Sequence, residues 1–309
     1  MNTDILDDIL GENLDQAQQC KNVPTLIVDT SYLAYHSMFS AWNTFRDQYS
    51  DLCPVDKDPD FDPGDHPEFL AIFKQRFYSS VLTAPMKYHP FIEERNIIFA
   101  TDCPKKNIWR IEHYPEYKQE RRDAKKEDKP FAFKRTFSFL YNTILPEWED
   151  LGSIVVGAPC SEGDDVIATL VKNKIAKTFI VMASDRDILQ LSSPTCTMIN
   201  VKGDHITYSN ELDIPEEELE ERNFTGKHYI LIKAMMGDRS DGITQIHKRC
   251  GKKTAIKYFF DPDLLNAKRA SDPGIDPIIK NNILIMDFDY IPDEIDSAIM
   301  TKYKEQINC

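Results

Sequence analysis

The sequence predicts an α/β fold, with a mostly parallel central sheet, helices on both faces, and a helical C-terminal region. Four short apolar, β-branched segments have the length of buried parallel strands, and segments of helical character separate them. They are residues 23–29, 96–100, 153–156 and 179–183. From residue 229 onward, apolar residues recur mainly at helical spacing. The 309 residues are enough for one large domain or two smaller ones.

Carboxylates follow the ends of three of these predicted strands. Asp29 ends the first strand, Asp102 follows the second, and Asp185 and Asp187 follow the fourth. The carboxyl ends of parallel strands meet at one edge of a sheet, where α/β proteins bind ligands. Asp29 alone is also explained as a helix N-cap, and any one of these acids is weak evidence. The four together predict a single acidic site.

A second acidic group opens the helix before the fourth strand. Residues 161–167 read Ser-Glu-Gly-Asp-Asp-Val-Ile and contain Glu162, Asp164 and Asp165. The alternative interpretation is helix capping, in which Ser161 and Asp164 form a capping box. Capping does not explain the acids at the strand ends, where like charges repel unless a cation neutralises them. We therefore prefer a metal site for the whole set and a cap for Glu162 or Asp164 taken alone.

A third acidic pair lies further along the chain, where Asp238 and Asp241 are three residues apart around a turn. Carboxylates without a nearby His or Cys set favour Mg²⁺, for which Mn²⁺ substitutes, and many acids at one site indicate two ions. The candidate metal ligands are Asp29, Asp102, Glu162, Asp164, Asp165, Asp185, Asp187, Asp238 and Asp241.

The formal net charge of -14 argues against a surface that coats nucleic acid broadly. Residues 105–135 nevertheless contain eleven Lys or Arg against six Asp or Glu. In this segment bases alternate with aromatic rings, a pattern suited to phosphates and stacked bases. The charge count alone equally fits a solvated helix face. The candidates for transition-state stabilisation are Lys105, Lys118, Arg121 and Arg122, and those for nucleic-acid contact are Lys106, Arg110 and Tyr117.

A glycine turn before Lys252 and Lys253 is a further candidate phosphate site, although many helices begin this way. The chain has no Walker phosphate loop and no dinucleotide glycine fingerprint, which disfavours nucleotide hydrolysis and hydride transfer. Seven scattered cysteines without a CxxC pair indicate reduced thiols and no zinc site. Without a signal peptide or an apolar run of about 20 residues, we expect a cytoplasmic protein.

Three parts are predicted along the chain. Residues 1–22 form an extension that is either a frayed end or a peptide that docks to a partner, and residues 23–210 form the α/β core. Residues 211–309 form a helical region that binds nucleic acid. Within the core, residues 51–67 are rich in Asp and Pro and read as a surface loop, and residues 195–208 read as a β-hairpin.

The motifs occur in the order found in 5′ nucleases. Glu-Gly-Asp-Asp at 162–165 matches the Glu-Ala-Asp-Asp helix of that family, Asp-Arg-Asp at 185–187 its Asp-x-Asp strand end, and Gly-Asp-Arg-Ser-Asp at 237–241 its Gly-Asp-x-x-Asp turn. Residues 109–122 resemble the helical arch that clamps a single-stranded 5′ end. From about residue 23 the chain resembles flap endonucleases, the 5′-nuclease domain of bacterial DNA polymerase I and phage 5′→3′ exonucleases. Residues 287–292 look like the equivalent stretch in the RNase H enzymes of T-even phages.

The resemblance implies an arch at about residues 103–130, a helix–three-turn–helix in the C-terminal region and two Mg²⁺ ions. It implies 5′→3′ exonuclease and flap endonuclease activity on RNA–DNA hybrids and duplex DNA, as in primer removal during phage DNA replication. By match, the first metal region is held by Asp29, Asp102, Glu162, Asp164, Asp165 and Asp185, and the second by Asp187, Asp238 and Asp241. Lys118 contacts the scissile phosphate, assisted by Arg121 or Arg122, and Tyr32 stacks on the terminal base. We expect a monomer, with a sliding clamp and a single-stranded-DNA-binding protein as partners.

The chain departs from the family at residues 244–250, which lack its usual glycines and are one residue longer. Two other functions are compatible with parts of the pattern. One is a catalytically silent protein of the same fold that binds branched DNA, although its acids would repel phosphate in the absence of metal. The other is a two-metal phosphatase of small substrates, which leaves the basic-aromatic segment without a role.

Overall fold

Six strands form one sheet in the order β3-β2-β1-β4-β5-β6. The computed structural model describes residues 23–90, 92–104, 107–124 and 130–307, so the predictions for residues 1–22, Lys105 and Lys106 lie outside it. The strands are β1 (Thr25–Asp29), β2 (Ile97–Ala100), β3 (Ile154–Val156), β4 (Phe179–Met182), β5 (Cys196–Ile199) and β6 (His205–Ile206). β1 to β5 pair in parallel, and β6 is antiparallel to β5. The predicted strands, the predicted hairpin and the α/β class are confirmed.

Helices surround the sheet and make up the C-terminal part. They are α1 (Thr30–Gln48), α2 (Pro67–Thr83), α3 (Arg110–His113), α4 (Gln119–Asp123), α5 (Lys134–Phe139), α6 (Leu145–Asp150), α7 (Gly163–Lys172), α8 (Tyr208–Leu212), α9 (Glu216–Glu221), α10 (Gly226–Met236), α11 (Lys252–Phe260), α12 (Pro262–Ser271), α13 (Ile275–Met286) and α14 (Asp293–Ile307). A π-helical turn, Leu140–Ile144, joins α5 to α6.

Two apolar clusters cover the opposite faces of the sheet. In β1, Leu26 and Val28 belong to the cluster formed with α1, α2 and α6, whereas Ile27 belongs to the cluster formed with α7, α10 and α13. Successive side chains of a strand point to opposite faces. Because helices cover both faces, the parallel strands need apolar residues at nearly every position, and this explains the continuous apolar runs in the sequence.

The helix predicted at residues 131–149 is present from residue 134 to residue 150, but with a π-helical turn inside it. Pro146 lies in the first turn of α6, directly after the π-helical turn. Proline has no backbone N–H and therefore removes one α-helical hydrogen bond from the interior of a helix. The π-helical turn directly before Pro146 fits the loss of this hydrogen bond. The turn also changes the direction in which the side chains before it point, relative to a regular α-helix.

The loop predicted at residues 51–67 is exposed at Val55 but packed at its end. Asp62 is buried there and accepts hydrogen bonds from the backbone N–H of Gly64 at 3.0 Å and of Arg135 at 2.9 Å. A Cβ atom on Gly64 would lie 2.7 Å from Arg135 Cβ, so only glycine allows this approach to α5. The surface-loop prediction is therefore wrong for residues 62–64, where burial of one hydrogen-bonded aspartate holds the chain.

The C-terminal helices pack on the same core as the sheet. α14 lies against β3 and α7, and α10 packs between α11 and α13. One apolar cluster includes residues from the sheet and from these helices, and the boundary at residue 210 stays a prediction. Within the part of the chain that the structure describes, none of the helices has the length and hydropathy required to cross a bilayer.

Candidate active site

A cavity of about 760 Å³ opens at the carboxyl edge of the parallel strands. Six candidate metal ligands line it: Asp29, Asp102, Glu162, Asp164, Asp185 and Asp238. The candidate cations Lys118, Arg121 and Arg122 line the same cavity. The remaining acids, Asp165, Asp187 and Asp241, are buried and form ion pairs with residues of this lining or of its immediate surroundings. The structure thus brings together residues that are up to about two hundred positions apart.

The strand-end acids also organise the backbone around them. Asp29 Oδ1 accepts a hydrogen bond from Tyr32 N at 3.0 Å and so caps α1. Asp185 Oδ1 accepts one from Asp187 N at 2.8 Å, and Asp102 Oδ1 accepts one from Gly163 N at 2.7 Å. Capping and ligand binding are therefore compatible here, because each carboxylate has a second oxygen. The hydrogen bonds fix the direction in which that oxygen points.

The first turn of α7 holds a capping box between Glu162 and Asp165. Asp165 Oδ2 accepts a hydrogen bond from Glu162 N at 2.9 Å, and the Glu162 carboxylate caps the backbone N–H of Asp165. The predicted box between Ser161 and Asp164 is wrong, since Ser161 Oγ instead donates to Ala158 O at 2.8 Å. The N-cap position falls one residue later than expected, and a capping box joins the N-cap to the third residue beyond it.

Arg110 and Tyr117 are buried, which corrects their prediction as nucleic-acid contacts. The guanidinium of Arg110 is 2.7 Å from Asp165 Oδ1 and 3.1 Å from Glu162 Oε2, and its Nε donates to Ile285 O at 2.9 Å. Tyr117 donates its hydroxyl to Glu162 Oε2 at 2.8 Å. Asp165 is fully buried and does not line the cavity. In this structure Asp165 positions Glu162 and Arg110, and its role as a metal ligand stays a prediction.

Lys118 lies where the basic segment meets the acids. Its Nζ is 2.6 Å from Glu162 Oε1 and 3.6 Å from Asp241 Oδ2, and its backbone N–H donates to Asp241 O at 2.8 Å. Arg121 is half-exposed and lies 3.1 Å from Asp241 Oδ1. A Cβ atom on Gly242, at φ +75°, would lie 2.8 Å from Glu116 O. Glycine at this position lets the acidic turn press against the basic segment.

Lys233 is a cation that sequence reasoning missed. It lines the cavity, its side chain is almost fully buried, and its Nζ lies 3.1 Å from Asp187 Oδ1 and 3.0 Å from Asp238 Oδ2. The signal for it was a lone lysine inside the apolar helical run at residues 229–236, just before the acidic turn. A buried lysine requires a carboxylate partner.

The cavity also has aromatic lining that the sequence did not single out, namely Tyr35, Phe137 and Tyr141. The fourth ring, Tyr32, was predicted, and its hydroxyl accepts a hydrogen bond from Val201 N at 3.3 Å. Tyr35 and Phe137 lie on amphipathic helices, where an aromatic residue normally indicates core packing. Only the tertiary structure separates rings that line a cavity from rings in the core.

Lys252 and Lys253 begin α11, away from this cavity. Lys252 Nζ donates to Glu211 O and to Asp213 Oδ2, each at 2.8 Å, whereas Lys253 is exposed. Their contact with nucleic acid stays a prediction.

The acids carry more negative charge than the neighbouring cations offset. Burial, together with the charges of Asp102 and Asp185, raises the pKa of Asp29 to about 7 despite the hydrogen bond from Tyr32 N. Burial also raises the pKa of Asp187 to about 7, although Lys233 opposes the shift. Among the described residues, no three acidic, His or Cys side chains converge closely enough to hold a metal ion as they stand. The oxygen-only donor set and the raised pKa values fit a hard divalent cation that draws these carboxylates inward.

Comparison with known proteins identifies the family. The sequence profile of the 5′–3′ exonuclease N-terminal resolvase-like domain matches residues 24–222. The chain belongs to the 5′–3′ exonuclease family. DNA polymerase I of Streptococcus pneumoniae is 31% identical over 173 residues, which are 55% of this chain and 18% of the polymerase. DNA polymerase I of Lactococcus lactis is 27% identical over 239 residues, 75% of this chain and 23% of the polymerase. The chain therefore spans less than a quarter of the length of these relatives.

Solved structures share the fold. The bacteriophage T5 5′-exonuclease with bound zinc has a TM-score of 0.61 and 18% identity, covering 93% of this chain and 99% of the phage protein. A bacteriophage T5 flap endonuclease, in a pseudo-enzyme–product complex with DNA and metal ions, has a TM-score of 0.57 and 15% identity, covering 92% and 97%. The predicted membership of the 5′ nuclease family is confirmed.

The raised pKa values lead to a pH-dependent effect of metal on the stability of this protein. The folded pKa values of Asp29 and Asp187, about 7, exceed the unfolded value of about 4. Folding thus favours the protonated acids, and the metal-free fold loses stability as pH rises from about 4 through 7. Because a divalent cation binds the deprotonated acids, we expect Mg²⁺ to raise the melting temperature little near pH 5.5 and most above about pH 8.

Thermal unfolding with and without Mg²⁺ at several pH values measures this effect. The Asp29→Asn variant, which lacks one of the two titrating groups, is expected to show a smaller Mg²⁺ shift above about pH 8. A Mg²⁺-induced shift of equal size at pH 5.5 and pH 8.5 would contradict the assignment.

Proposed function

We propose that the protein is a Mg²⁺-dependent two-metal 5′ nuclease that hydrolyses phosphodiesters near the 5′ ends of RNA–DNA hybrids and of duplex or flap DNA. This proposal rests on one observation. Six carboxylates and the cations Lys118, Arg121 and Arg122 line the same cavity. Carboxylates repel phosphate by themselves, and cations alone do not activate water. Their combination suits phosphodiester hydrolysis, where a metal site and positive side chains meet at the same phosphate.

The candidate acids divide into two groups by their match to the 5′ nuclease motifs. The residues that would hold one ion are Asp29, Asp102, Glu162, Asp164 and Asp185, and those that would hold the other are Asp187, Asp238 and Asp241. Bound ions would lower the pKa of a water molecule and neutralise charge on the leaving oxygen. Lys233 now lies between Asp187 and Asp238, so it would hold that pair in place before an ion binds.

The protein's own cations would position the scissile phosphate. Lys118 is anchored at its backbone by Asp241 O, and its Nζ bridges Glu162 and Asp241. Arg121 is half-exposed beside Asp241, so it would reach a phosphate while Lys118 stays paired with Asp241. Together they would stabilise negative charge that develops on the phosphate oxygens in the transition state.

The biological setting is part of the same proposal. We infer a role in removing primers during phage DNA replication, with a sliding clamp and a single-stranded-DNA-binding protein as partners, and a monomer in the host cytoplasm. Support comes from similarity to DNA polymerase I and to the phage T5 enzymes.

Cleavage of a 5′-labelled flap DNA and of a recessed RNA–DNA hybrid in Mg²⁺ tests the activity. We expect short 5′ products, and we expect Asp164→Asn to reduce the rate by about 100-fold or more, because Asp164 lines the cavity together with five other candidate metal ligands. Asp213→Asn is the matched control, since Asp213 is exposed and its ion pair with Lys252 is outside the cavity. Equal rates for the two variants would refute the site.

A second candidate function is a protein of the same fold that binds branched DNA without cutting it. One observation favours it: Arg110, Lys118 and Lys233 already form ion pairs with acids of the site. Binding that is unchanged by EDTA, with no cleavage in Mg²⁺ or Mn²⁺, would support this candidate over the nuclease.

A further inference from the structure

The side chain of Gln190 forms hydrogen bonds with three backbone groups. Its Nε2 donates to Asp187 O at 2.8 Å and to Met286 O at 3.0 Å, and its Oε1 accepts from Phe288 N at 2.9 Å. Gln190 lies in the 3₁₀ turn Arg186–Leu191, three residues after Asp187. The turn that carries Asp187 is thereby joined to the end of α13.

The three backbone partners of Gln190 require the chemistry of an amide. Two of them are carbonyl oxygens and one is an N–H, and a glutamine amide offers two N–H donors and one carbonyl acceptor. A glutamate of the same length would place a carboxylate against two carbonyl oxygens, and a methionine offers no donor. The contacts therefore depend on the amide group and not only on the size of the side chain.

The segment that the amide reaches is itself held by two lysines. Lys227, in the first turn of α10, donates to both carboxylate oxygens of Asp287, at 2.9 and 2.8 Å. Lys172, at the end of α7, donates to Phe288 O at 2.8 Å, and the ring of Phe288 is buried. The proposed site gives residues 287–292 no role, although their motif is distinctive. Their first residues provide a fixed attachment point for the amide.

This attachment holds the backbone of Asp187 on both sides. The carbonyl of Asp187 accepts the hydrogen bond from Gln190, and its N–H donates to Asp185 Oδ1 at 2.8 Å. A Cβ atom on Gly226, the first residue of α10, would lie 2.0 Å from Gln190 O, so only glycine allows α10 to approach this turn so closely. The directions of two carboxylates thus depend on Gln190, since it holds the backbone of Asp187 and that backbone in turn orients Asp185.

We propose that Gln190 is a positioning residue for the metal site, which keeps Asp185 and Asp187 in the directions in which they bind divalent cations. This inference rests on the proposed nuclease function and adds a residue that lies outside the cavity lining. Asp185 belongs to the first group of proposed ligands and Asp187 to the second, so one amide acts on both groups. A carboxylate whose direction is not fixed must be ordered when a cation binds, and this lowers the affinity.

Replacement of Gln190 by methionine, which keeps the length of the side chain but forms none of the three hydrogen bonds, tests the role. We expect half-maximal cleavage of a 5′-labelled flap to require about tenfold more Mg²⁺, as for other groups that orient metal ligands. The KM for the flap is expected to stay unchanged, because Gln190 does not line the cavity. The dissociation constant for Mn²⁺, measured by calorimetry without DNA, is expected to rise by a similar factor, and this readout does not require catalysis.

Two further variants separate positioning from a general loss of stability. Gln306→Met is the matched control, because Gln306 donates one hydrogen bond to Glu149 Oε1 at 3.2 Å on a different surface, and it is expected to change neither metal readout. In an Asp187→Asn background, Gln190→Met is expected to raise the Mn²⁺ dissociation constant by much less than tenfold, because the two residues act together. A Gln190→Met protein with a lower melting temperature but wild-type metal readouts overturns the proposal.

A milder variant keeps the test decisive if Gln190→Met does not fold. The side chain of Lys227 is 59% exposed, so Lys227→Met loosens the attachment point without burying a new group. It is expected to raise the Mn²⁺ dissociation constant by about threefold, less than Gln190→Met because a half-exposed ion pair contributes little. An unchanged constant in both variants, in a protein that cleaves flaps, overturns the role of Gln190 and leaves the nuclease function standing. A wild-type protein that neither cleaves flaps nor binds Mn²⁺ overturns both.

Discussion

Replacement of Lys118 by methionine is expected to lower kcat by about 10²–10³-fold, the usual effect of removing one group that stabilises transition-state charge. Methionine keeps the length of the side chain and its packing beside the ring of Tyr117, which lies 4.9 Å from Lys118 Nζ. It removes the ammonium that bridges Glu162 and Asp241. Single-turnover cleavage of a labelled 5′ flap at saturating enzyme measures the chemical step separately from binding.

The matched control for this prediction is Lys87→Met. Lys87 is exposed, and its ion pair with Asp204 at 3.0 Å lies outside the cavity, so the rate is expected to stay within about twofold, since an exposed pair contributes at most about 1 kcal/mol. A loss in affinity of Lys118→Met with unchanged single-turnover rate would reassign Lys118 from catalysis to substrate binding.

Replacement of Arg110 by methionine is expected to destabilise the fold by about 3–5 kcal/mol, because it leaves Asp165 buried without its cation and Glu162 with Lys118 alone. The Arg110 side chain is only 3% exposed and joins the first turn of α7 to the carbonyl of Ile285 near the end of α13. A loss of this size lowers the melting temperature by on the order of 10 °C for a protein of this length. Thermal unfolding followed by circular dichroism measures the shift.

A double substitution separates the loss of the ion pair from the loss of packing. In Arg110→Met with Asp165→Asn, the buried charge on residue 165 is gone, and the asparagine oxygen still caps Glu162 N, the hydrogen bond seen at 2.9 Å. We expect the double variant to be more stable than the sum of the single effects, as for two groups in contact. Arg95→Met, which breaks an exposed pair with Glu93, is expected to change stability by less than about 1 kcal/mol. A wild-type melting temperature for Arg110→Met would refute the role of Arg110.

The acidic half of the site was predictable because its geometry follows from topology. Asp29, Asp102 and Asp185 each stand at the end of a predicted parallel strand or just beyond it, and parallel strands share one carboxyl edge. The prediction that Asp238 faces the site required only the tight turn that it shares with Asp241. The resemblance to 5′ nucleases added the order of these motifs, and the family profile at residues 24–222 confirmed the family.

The basic and aromatic half was less predictable, because residue type does not show which way a side chain points. Arg110 and Tyr117 had the composition of a nucleic-acid contact, yet both are buried against Glu162. Tyr141 and Lys233 had the appearance of ordinary helix residues, yet both line the cavity. Their directions depend on a π-helical turn and on the packing of α10 behind the acids.

The amino-acid order of this protein already determined its sheet, its fold class and the convergence of acids, since strand periodicity and parallel topology leave few alternatives. Tertiary packing alone decided which charges are buried and paired and which face the cavity. Asp164 and Asp165 are adjacent in the chain, but the helical turn places one in the cavity and the other against Arg110. Successive residues of a helix point about 100° apart, so only the position of α7 against its neighbours determines which carboxylate is free to act.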